Sequence, residues 1–77
     1  MGKWIRKSEM PDEIIELGVR IKRVIEQKGL KTRHVAHDAD LDTENLRKYI
    51  NGKQEMKVSI LIRIAKALDV KVSDLFD

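Results

Sequence analysis

Residues 32–50 read TRHVAHDADLDTENLRKYI and hold two short segments with helical spacing. From Thr32 to Ala39, apolar residues recur at i, i+1 and i+4, which favours a helix of about two turns. A second helix is predicted after Asp42, an N-cap residue type, because apolar residues recur at i, i+3 and i+4 from Leu46 onward. Asn51 and Gly52 are typical of the end of such a helix. The stretch therefore predicts two short helices separated by a tight turn at residues 40–42.

Helical spacing continues on both sides of this stretch. Upstream, a stripe of apolar residues predicts a helix from Pro11 to Lys28, and Gly29 is typical of the position that ends one. The stripe consists of Ile14, Ile15, Leu17, Ile21, Val24 and Ile25. Downstream, a fourth helix is predicted from Val58 to Leu68, and residues 70–76 predict a final short helical turn. No alternating apolar–polar run occurs, so the sequence predicts an all-α fold with five helices.

Length and composition predict one small domain. The chain has 77 residues, of which 42% are hydrophobic and 38% charged, so it is neither low-complexity nor disordered in composition. A chain of this size buries only roughly 60% of its unfolded surface, enough for a single core. Residues 1–10 show no sustained periodicity. We therefore expect an N-terminal arm at residues 1–10 and one domain at residues 11–77.

Several classes of protein are disfavoured by what the sequence lacks. No stretch reaches ~18 consecutive apolar residues, so no membrane span is expected. Cysteine is absent, whereas secreted domains of this size usually carry disulfides, so a cytoplasmic location is favoured. We find no nucleophile–base pair and no Gly-rich phosphate loop. We therefore expect neither an enzyme nor a cofactor.

Two patterns suggest a metal site and fail on inspection. His34 and His37 are three residues apart on one predicted helix, but no obvious third ligand is adjacent. Residues 38–42 (DADLD) open like a calcium loop, yet the sixth position is Thr43 where glycine is needed and the twelfth is Tyr49 where glutamate is needed. The expectation is that no metal binds.

The two short helices with their tight turn match the helix-turn-helix layout, in which the second helix can lie in the major groove of DNA. The net charge is +3, which permits a nucleic-acid partner without requiring one. Much of this positive charge lies in the arm, because basic and acidic residues nearly balance in residues 31–57.

Residues 17–77 resemble the phage-repressor and Cro type of helix-turn-helix domain. Six features occur in register: LGVRIK at 17–22, KGL at 28–30, Val35-Ala36, Leu41-Asp42, NGK at 51–53, and IAKALDV at 64–70 followed by DLF at 74–76. The resemblance implies a five-helix, lambda-repressor-like bundle. It also implies sequence-specific binding of double-stranded DNA.

The resemblance further implies which residues contact DNA. The base-contacting set that it implies is Thr32, Thr43, Glu44, Asn45 and Lys48. The phosphate-contacting set is Lys31, Arg33, Arg47, Asn51, Gly52, Lys53 and Lys57, with the backbone amides of residues 51–53 approaching a phosphate. Alternatively, Arg47 and Lys48 form a solvated face in which Glu44 makes i, i+3 and i, i+4 contacts.

The chain departs from the family pattern at several helix starts. Lys31, Lys57 and Lys71 stand where the family commonly has a serine N-cap, and lysine cannot accept hydrogen bonds from the free amides. We therefore expect some of these helices to begin a residue or two late. The turn is also acidic, and carboxylates near phosphates weaken binding.

The leading hypothesis is a small transcriptional regulator, a repressor, that binds DNA as a homodimer. The exposed apolar residues Val70, Val72 and Phe76 are the expected contacts between the two subunits. The alternative is an antitoxin or protein-binding adaptor of the same fold. Trp4 in the arm has three readings: packing back onto the domain, docking on a second subunit, or accompanying Lys3, Arg6 and Lys7 into a DNA groove.

Overall fold

A computed structural model of the chain describes residues 11–76. The order of elements is α1 (Asp12–Gln27), α2 (Thr32–Asp38), α3 (Thr43–Ile50), α4 (Val58–Leu68) and a 3-10 helix (Val72–Leu75). No strand occurs within the described range. The all-α prediction is confirmed, and the predicted bounds of α1 to α3 are within one residue of those observed. The predicted arm at residues 1–10 lies outside the described residues.

The prediction of five helices is wrong in its last member, because the C-terminal element is a single 3-10 turn. This element spans only four residues, and short runs of this kind favour i to i+3 hydrogen bonding. The backbone amide of Lys71 donates to the Asp74 carboxylate at 3.1 Å, which fixes the start of the turn. Leu75 is fully buried, so the turn closes the core as expected.

All four α-helices and the 3-10 turn contribute to one apolar core. Its largest fully buried side chains are Ile21, Val35, Leu46, Ile64, Leu68 and Leu75. Every residue of the core cluster is apolar or aromatic, and no buried polar side-chain atom between residues 11 and 76 lacks a partner. Burial of each such side chain contributes about 1.5–3 kcal/mol. The core therefore holds the short helices α2 and α3 against α1 and α4.

Lysine occupies the N-cap position of α2, α4 and the 3-10 turn, and in each case the helix begins at the next residue. The expected delay is therefore wrong. A good N-cap contributes only about 1 kcal/mol, which is less than the burial of one or two side chains in the first turns, such as Val35 or Leu61. Asp42 occupies the predicted N-cap position of α3 with an extended backbone, although its carboxylate makes no capping hydrogen bond.

The four α-helices end in the same way. In each, a residue just past the last turn has a positive φ. The amide of that residue donates to the carbonyl oxygen three residues earlier, and the amide of the next residue donates to the carbonyl oxygen five residues earlier. This is the Schellman motif, which favours glycine at the left-handed position. Glycine stands there after α1 and α3, as Gly29 and Gly52, whereas Asp40 and Asp69 follow α2 and α4.

α1 lies unusually close to the end of α3. A Cβ atom added to Gly18 would come within 2.5 Å of the carbonyl oxygens of both Tyr49 and Ile50. Glycine at this position therefore allows the two backbones to approach, and the approach sets where α3 emerges from the core.

Candidate DNA-binding interface

α3 has one face in the core and one in solvent. Leu46, Tyr49 and Ile50 are buried, and they share one side of the helix. Glu44, Arg47 and Lys48 lie opposite them and are exposed, as is Asn45 at one margin, while Thr43 is half-buried at the other. The burial of Tyr49 and Ile50 is as predicted. Four of the five side chains expected to contact bases are therefore on α3, from Thr43 and Glu44 in its first turn to Lys48 in its last, whereas Thr32 begins α2.

Glu44 and Arg47 form an ion pair across this exposed face, with 3.6 Å between Glu44 Oε2 and Arg47 Nη1. Both side chains are more than half exposed, so the pair contributes only a few tenths of a kcal/mol. The i, i+3 contact envisaged for a solvated face is thus present, and it costs little to break. Lys48 is exposed beside it.

A shallow cleft of about 240 Å³ lies beside α3. Its walls come from three helices: Lys22 of α1, Thr32 at the start of α2, and Arg47 with Ile50 and Asn51 at the end of α3. Three residues predicted for the interface are thereby brought together: Thr32 of α2 lies beside Arg47 and Asn51, which come at least 15 positions later in the chain. Two basic side chains and two polar ones around a concave surface suit an anionic oxygen such as that of a phosphate.

Lys22 was missed by the sequence analysis. It is one of several exposed basic residues on α1, and nothing in the local pattern separates it from Arg23 or Lys28. Only the packing of α1 against α3 distinguishes it, because that packing places Lys22 on the cleft.

The backbone amides of the loop after α3 donate hydrogen bonds to carbonyl groups of α3 itself. Asn51 N–H donates to the Arg47 carbonyl at 2.9 Å, Gly52 N–H to Tyr49 at 3.1 Å, and Lys53 N–H to Lys48 at 2.9 Å. The expected approach of these amides to a phosphate therefore competes with hydrogen bonds inside the chain. Gly52, at φ +69°, shapes the turn, whereas the side chains of Asn51 and Lys53 are exposed and available.

The remaining predicted phosphate contacts lie on the surface but are not gathered by the cleft. Lys31 and Arg33 are exposed at the start of α2, and Lys57 is exposed just before α4. The acidic turn is exposed too, at Asp38, Asp40 and Asp42.

His34 and His37 are both solvent-exposed. Within residues 11–76, no group of three or more His, Cys, Asp or Glu side chains is arranged to hold a metal ion. Across the same part of the chain, no helix is long and apolar enough to cross a bilayer.

A sequence model described as the Cro/C1-type HTH DNA-binding domain matches residues 20–77, which is most of the chain. The chain belongs to this family. α2 and α3, joined by a tight turn, are accordingly the two helices of the helix-turn-helix in this DNA-binding domain. The resemblance inferred from the six sequence features is confirmed. No curated protein sequence matches the chain significantly.

Solved structures of the same fold include three bacterial regulators. The restriction-modification controller protein C.AhdI from Aeromonas hydrophila superposes with a TM-score of 0.83 at 23% identity, covering 86% of this chain and 100% of that one. The clp gene regulator ClgR from C. glutamicum gives 0.80 at 23% identity, covering 84% of each chain. The hypothetical transcription factor NHTF from Neisseria gives 0.78 at 22% identity, covering 97% of this chain and 90% of that one. The TM-scores show a shared fold, and at identities this low they show nothing more.

Proposed function

We propose that the protein binds a specific sequence of double-stranded DNA as a small transcriptional regulator and acts as a repressor. The observation that carries this proposal is the face of α3 opposite the core, which displays Glu44, Asn45 and Lys48 on a rigid, well-packed helix. C.AhdI is a restriction-modification controller protein and ClgR a clp gene regulator, and the fold that they share with this chain supports the same role.

Base recognition is assigned to the exposed face of α3, which makes α3 the recognition helix. Lys48 is suited to guanine, which offers two acceptors in the major groove, and Glu44 is suited to cytosine, whose N4 amine is a donor. Asn45 and Thr43 flank them, and Thr32 reaches the same surface from α2. Contact by Glu44 requires the weak Glu44–Arg47 pair to open, which frees Arg47 for the DNA backbone.

Backbone contact is assigned to the cleft and the loops around it. Lys22, Arg47 and Asn51 converge on the cleft, where one phosphate group would fit between α1 and α3. Lys53 extends this surface from the loop after α3. Lys31, Arg33 and Lys57 are assigned to more peripheral phosphates, and Gly52 acts by shaping the loop.

A homodimer is proposed because one such domain reads too few base pairs for high specificity. Two copies related by a two-fold axis would contact half-sites about 34 Å apart on one side of the DNA. Of the residues expected at the interface, only Phe76 is well exposed, at 56%; Val70 and Val72 are half-buried against the core. We therefore assign the contact to Phe76 together with the outer face of α4, where Val58 and Ile62 are exposed.

Selection from random double-stranded DNA tests the proposal. The protein should enrich one motif with two-fold symmetry. Failure to enrich any motif, even at low salt where electrostatic binding is strongest, would remove the regulator assignment.

A protein-binding adaptor or antitoxin of the same fold is the second candidate. The observation in its favour is the exposure of Val58, which at 71% is high for a valine on a helix. A stable complex with the product of a neighbouring gene, together with no enriched DNA motif, would favour this candidate over the first.

A further inference from the structure

Arg63 of α4 donates two hydrogen bonds to the turn between α2 and α3. Its Nε donates to the carbonyl oxygen of Ala39 at 2.9 Å, and its Nη2 donates to that of Asp40 at 2.7 Å. The Nη2 bond is short for an N–H···O bond, as expected for a charged donor, and the Nε bond has an ordinary length. Arg63 is half-buried, and the residues it links are more than 20 positions apart in the chain.

These two carbonyl groups receive no hydrogen bond from the helix ending itself. In the Schellman motif at the end of α2, the amides of Asp40 and Leu41 donate to the carbonyls of His37 and Ala36. The carbonyls of Ala39 and Asp40 come later in the chain and are not used by this motif. Arg63 supplies both with donors and places a positive charge at the negative end of the α2 dipole.

The conformation held by these bonds is an unfavourable one. Asp40 has φ +58°, in the left-handed region that glycine adopts freely and that other residues adopt at a cost. Aspartate tolerates this region better than most residues. Arg63 adds two hydrogen bonds from outside the turn, and these favour this conformation over the others open to the turn.

The direction of the recognition helix depends on the same turn. Only Leu41 and Asp42 lie between Asp40 and the first residue of α3. A change in the backbone angles at residues 39–40 would therefore rotate α3 relative to α2. The exposed face of α3 would then no longer meet base edges in register with the phosphate contacts of α1 and α2.

We propose that Arg63 is a positioning residue for DNA recognition: by bonding the carbonyls of Ala39 and Asp40, it holds the α2–α3 turn in the one conformation that orients α3 for the major groove. This rests on the proposed function of α3. Arg63 itself lies on the helix that packs behind the helix-turn-helix, and it acts through the turn without contacting DNA.

The informative variant is Arg63→Met, which keeps a long unbranched side chain and removes all donors. Arg23→Met is the matched control, since it removes one positive charge from an exposed position on α1 that has no assigned role. Affinity is measured for the selected operator and for a scrambled duplex of the same length, under conditions where urea titration shows each variant to be fully folded.

Arg63→Met should weaken operator binding about tenfold relative to Arg23→Met, because apparent affinity falls in proportion to the fraction of molecules with α3 correctly oriented. Binding to the scrambled duplex should be the same for both variants, as should the salt dependence. Equal ratios of operator to scrambled affinity in the two variants would overturn the proposal. So would a loss in Arg63→Met that is equal for both duplexes, which is what a purely structural role predicts.

Arg63→Lys covers the case in which the methionine variant does not fold. Lysine retains the charge but presents a single donor centre in place of the planar fork. It should recover stability and leave part of the specificity loss, whereas full recovery of specificity would show that the two-carbonyl geometry is irrelevant.

Amide hydrogen exchange tests the role of Arg63 in the free protein, independently of DNA binding. In the free protein, Arg63→Met, or Arg63→Lys if the first does not fold, should accelerate exchange at the amides of Asp40 and Leu41 and leave core amides of α4 unchanged. Unchanged exchange at Asp40 and Leu41 overturns the role of Arg63. Failure of the wild type to select a DNA motif overturns the proposed function instead.

Discussion

Lys48 and Lys53 are five residues apart, yet replacing each of them should change DNA binding in a different way. Lys48 lies on the exposed face of α3, so Lys48→Ala should relax recognition at one base position and weaken operator binding by about 1–3 kcal/mol. Lys53 lies in the loop after α3, where a phosphate contact is assigned. Lys53→Ala should weaken binding to all sequences alike and lower the salt slope by about one.

Competition binding against single-base operator variants, repeated over a range of salt concentrations, separates these effects. Each lysine variant serves as the control for the other, because both lose one positive charge. Wild-type binding by both variants would contradict the assigned interface.

Asp69 is the clearest candidate for a stabilising substitution. It has φ +59° and follows α4, so aspartate there combines a disfavoured backbone conformation with a negative charge at the negative end of the helix dipole. Asp69→Gly should raise the free energy of unfolding by about 1 kcal/mol, even after the greater flexibility of glycine in the unfolded chain is subtracted.

Urea denaturation measures this change. Asp69→Asn removes the charge and keeps a side chain, so it isolates the electrostatic part and should recover less than half of the gain if the backbone dominates. A free energy of unfolding that stays constant or falls in Asp69→Gly would contradict the account of this helix end.

At the scale of elements, the crossing of α1 over the end of α3 depends on Gly18. Replacing a glycine inside a helix by alanine normally stabilises the helix by about 1 kcal/mol. At residue 18, however, the added methyl group would meet two backbone carbonyl oxygens at 2.5 Å, and backbone atoms cannot move aside as a flexible side chain can. Gly18→Ala should therefore destabilise the protein by about 1–3 kcal/mol.

Thermal or urea unfolding checks this prediction. Val19→Ala is the neighbouring control, since Val19 is exposed and its truncation leaves the crossing intact. Equal or greater stability in Gly18→Ala would show that α1 and α3 can separate without loss.

Sequence periodicity predicted the elements well and their mutual placement poorly. The apolar positions of α1, α3 and α4 repeat with the period of a helix because one side of each must face the core, so helix type and bounds follow from local information. The final turn was overestimated as a fifth helix, since an apolar pattern over a few residues does not distinguish 3-10 from α bonding.

At the scale of the whole molecule, the outer face of α4 and Phe76 are the apolar surface assigned to a second copy. Ile62 is 40% exposed, so Ile62→Asp should leave the fold intact while it places a charge in the dimer contact. The expected outcome is a shift from dimer to monomer in sedimentation or light scattering, with loss of operator binding at low protein concentration.

Val19→Asp is the matched control for this prediction. Val19 is comparably exposed, at 46%, but lies on α1 away from the assigned contact, so its substitution should leave the mass unchanged. A mass that does not change in Ile62→Asp, or a wild type that is monomeric at all concentrations, would contradict the assignment of this face.

The membership of the cleft beside α3 could not be predicted in full from the local sequence. Thr32, Arg47 and Asn51 were expected to contact DNA because their positions match a family pattern, and the structure places them on one concave surface. Lys22 was not expected there. Arg20 and Arg23 are equally basic, and the place of Lys22 on the cleft results from the close approach of α1 and α3 at Gly18.

The local amino-acid sequence determined three things: the order and type of the α-helices, the apolar core, and the exposure of Glu44 and Lys48. Each of these depends on the period with which apolar residues recur. Two features required the tertiary structure: the cleft with Lys22 and the bonds from Arg63 to the turn. Each joins groups distant in sequence, and such contacts are set by how whole helices pack, about which a local pattern carries no information.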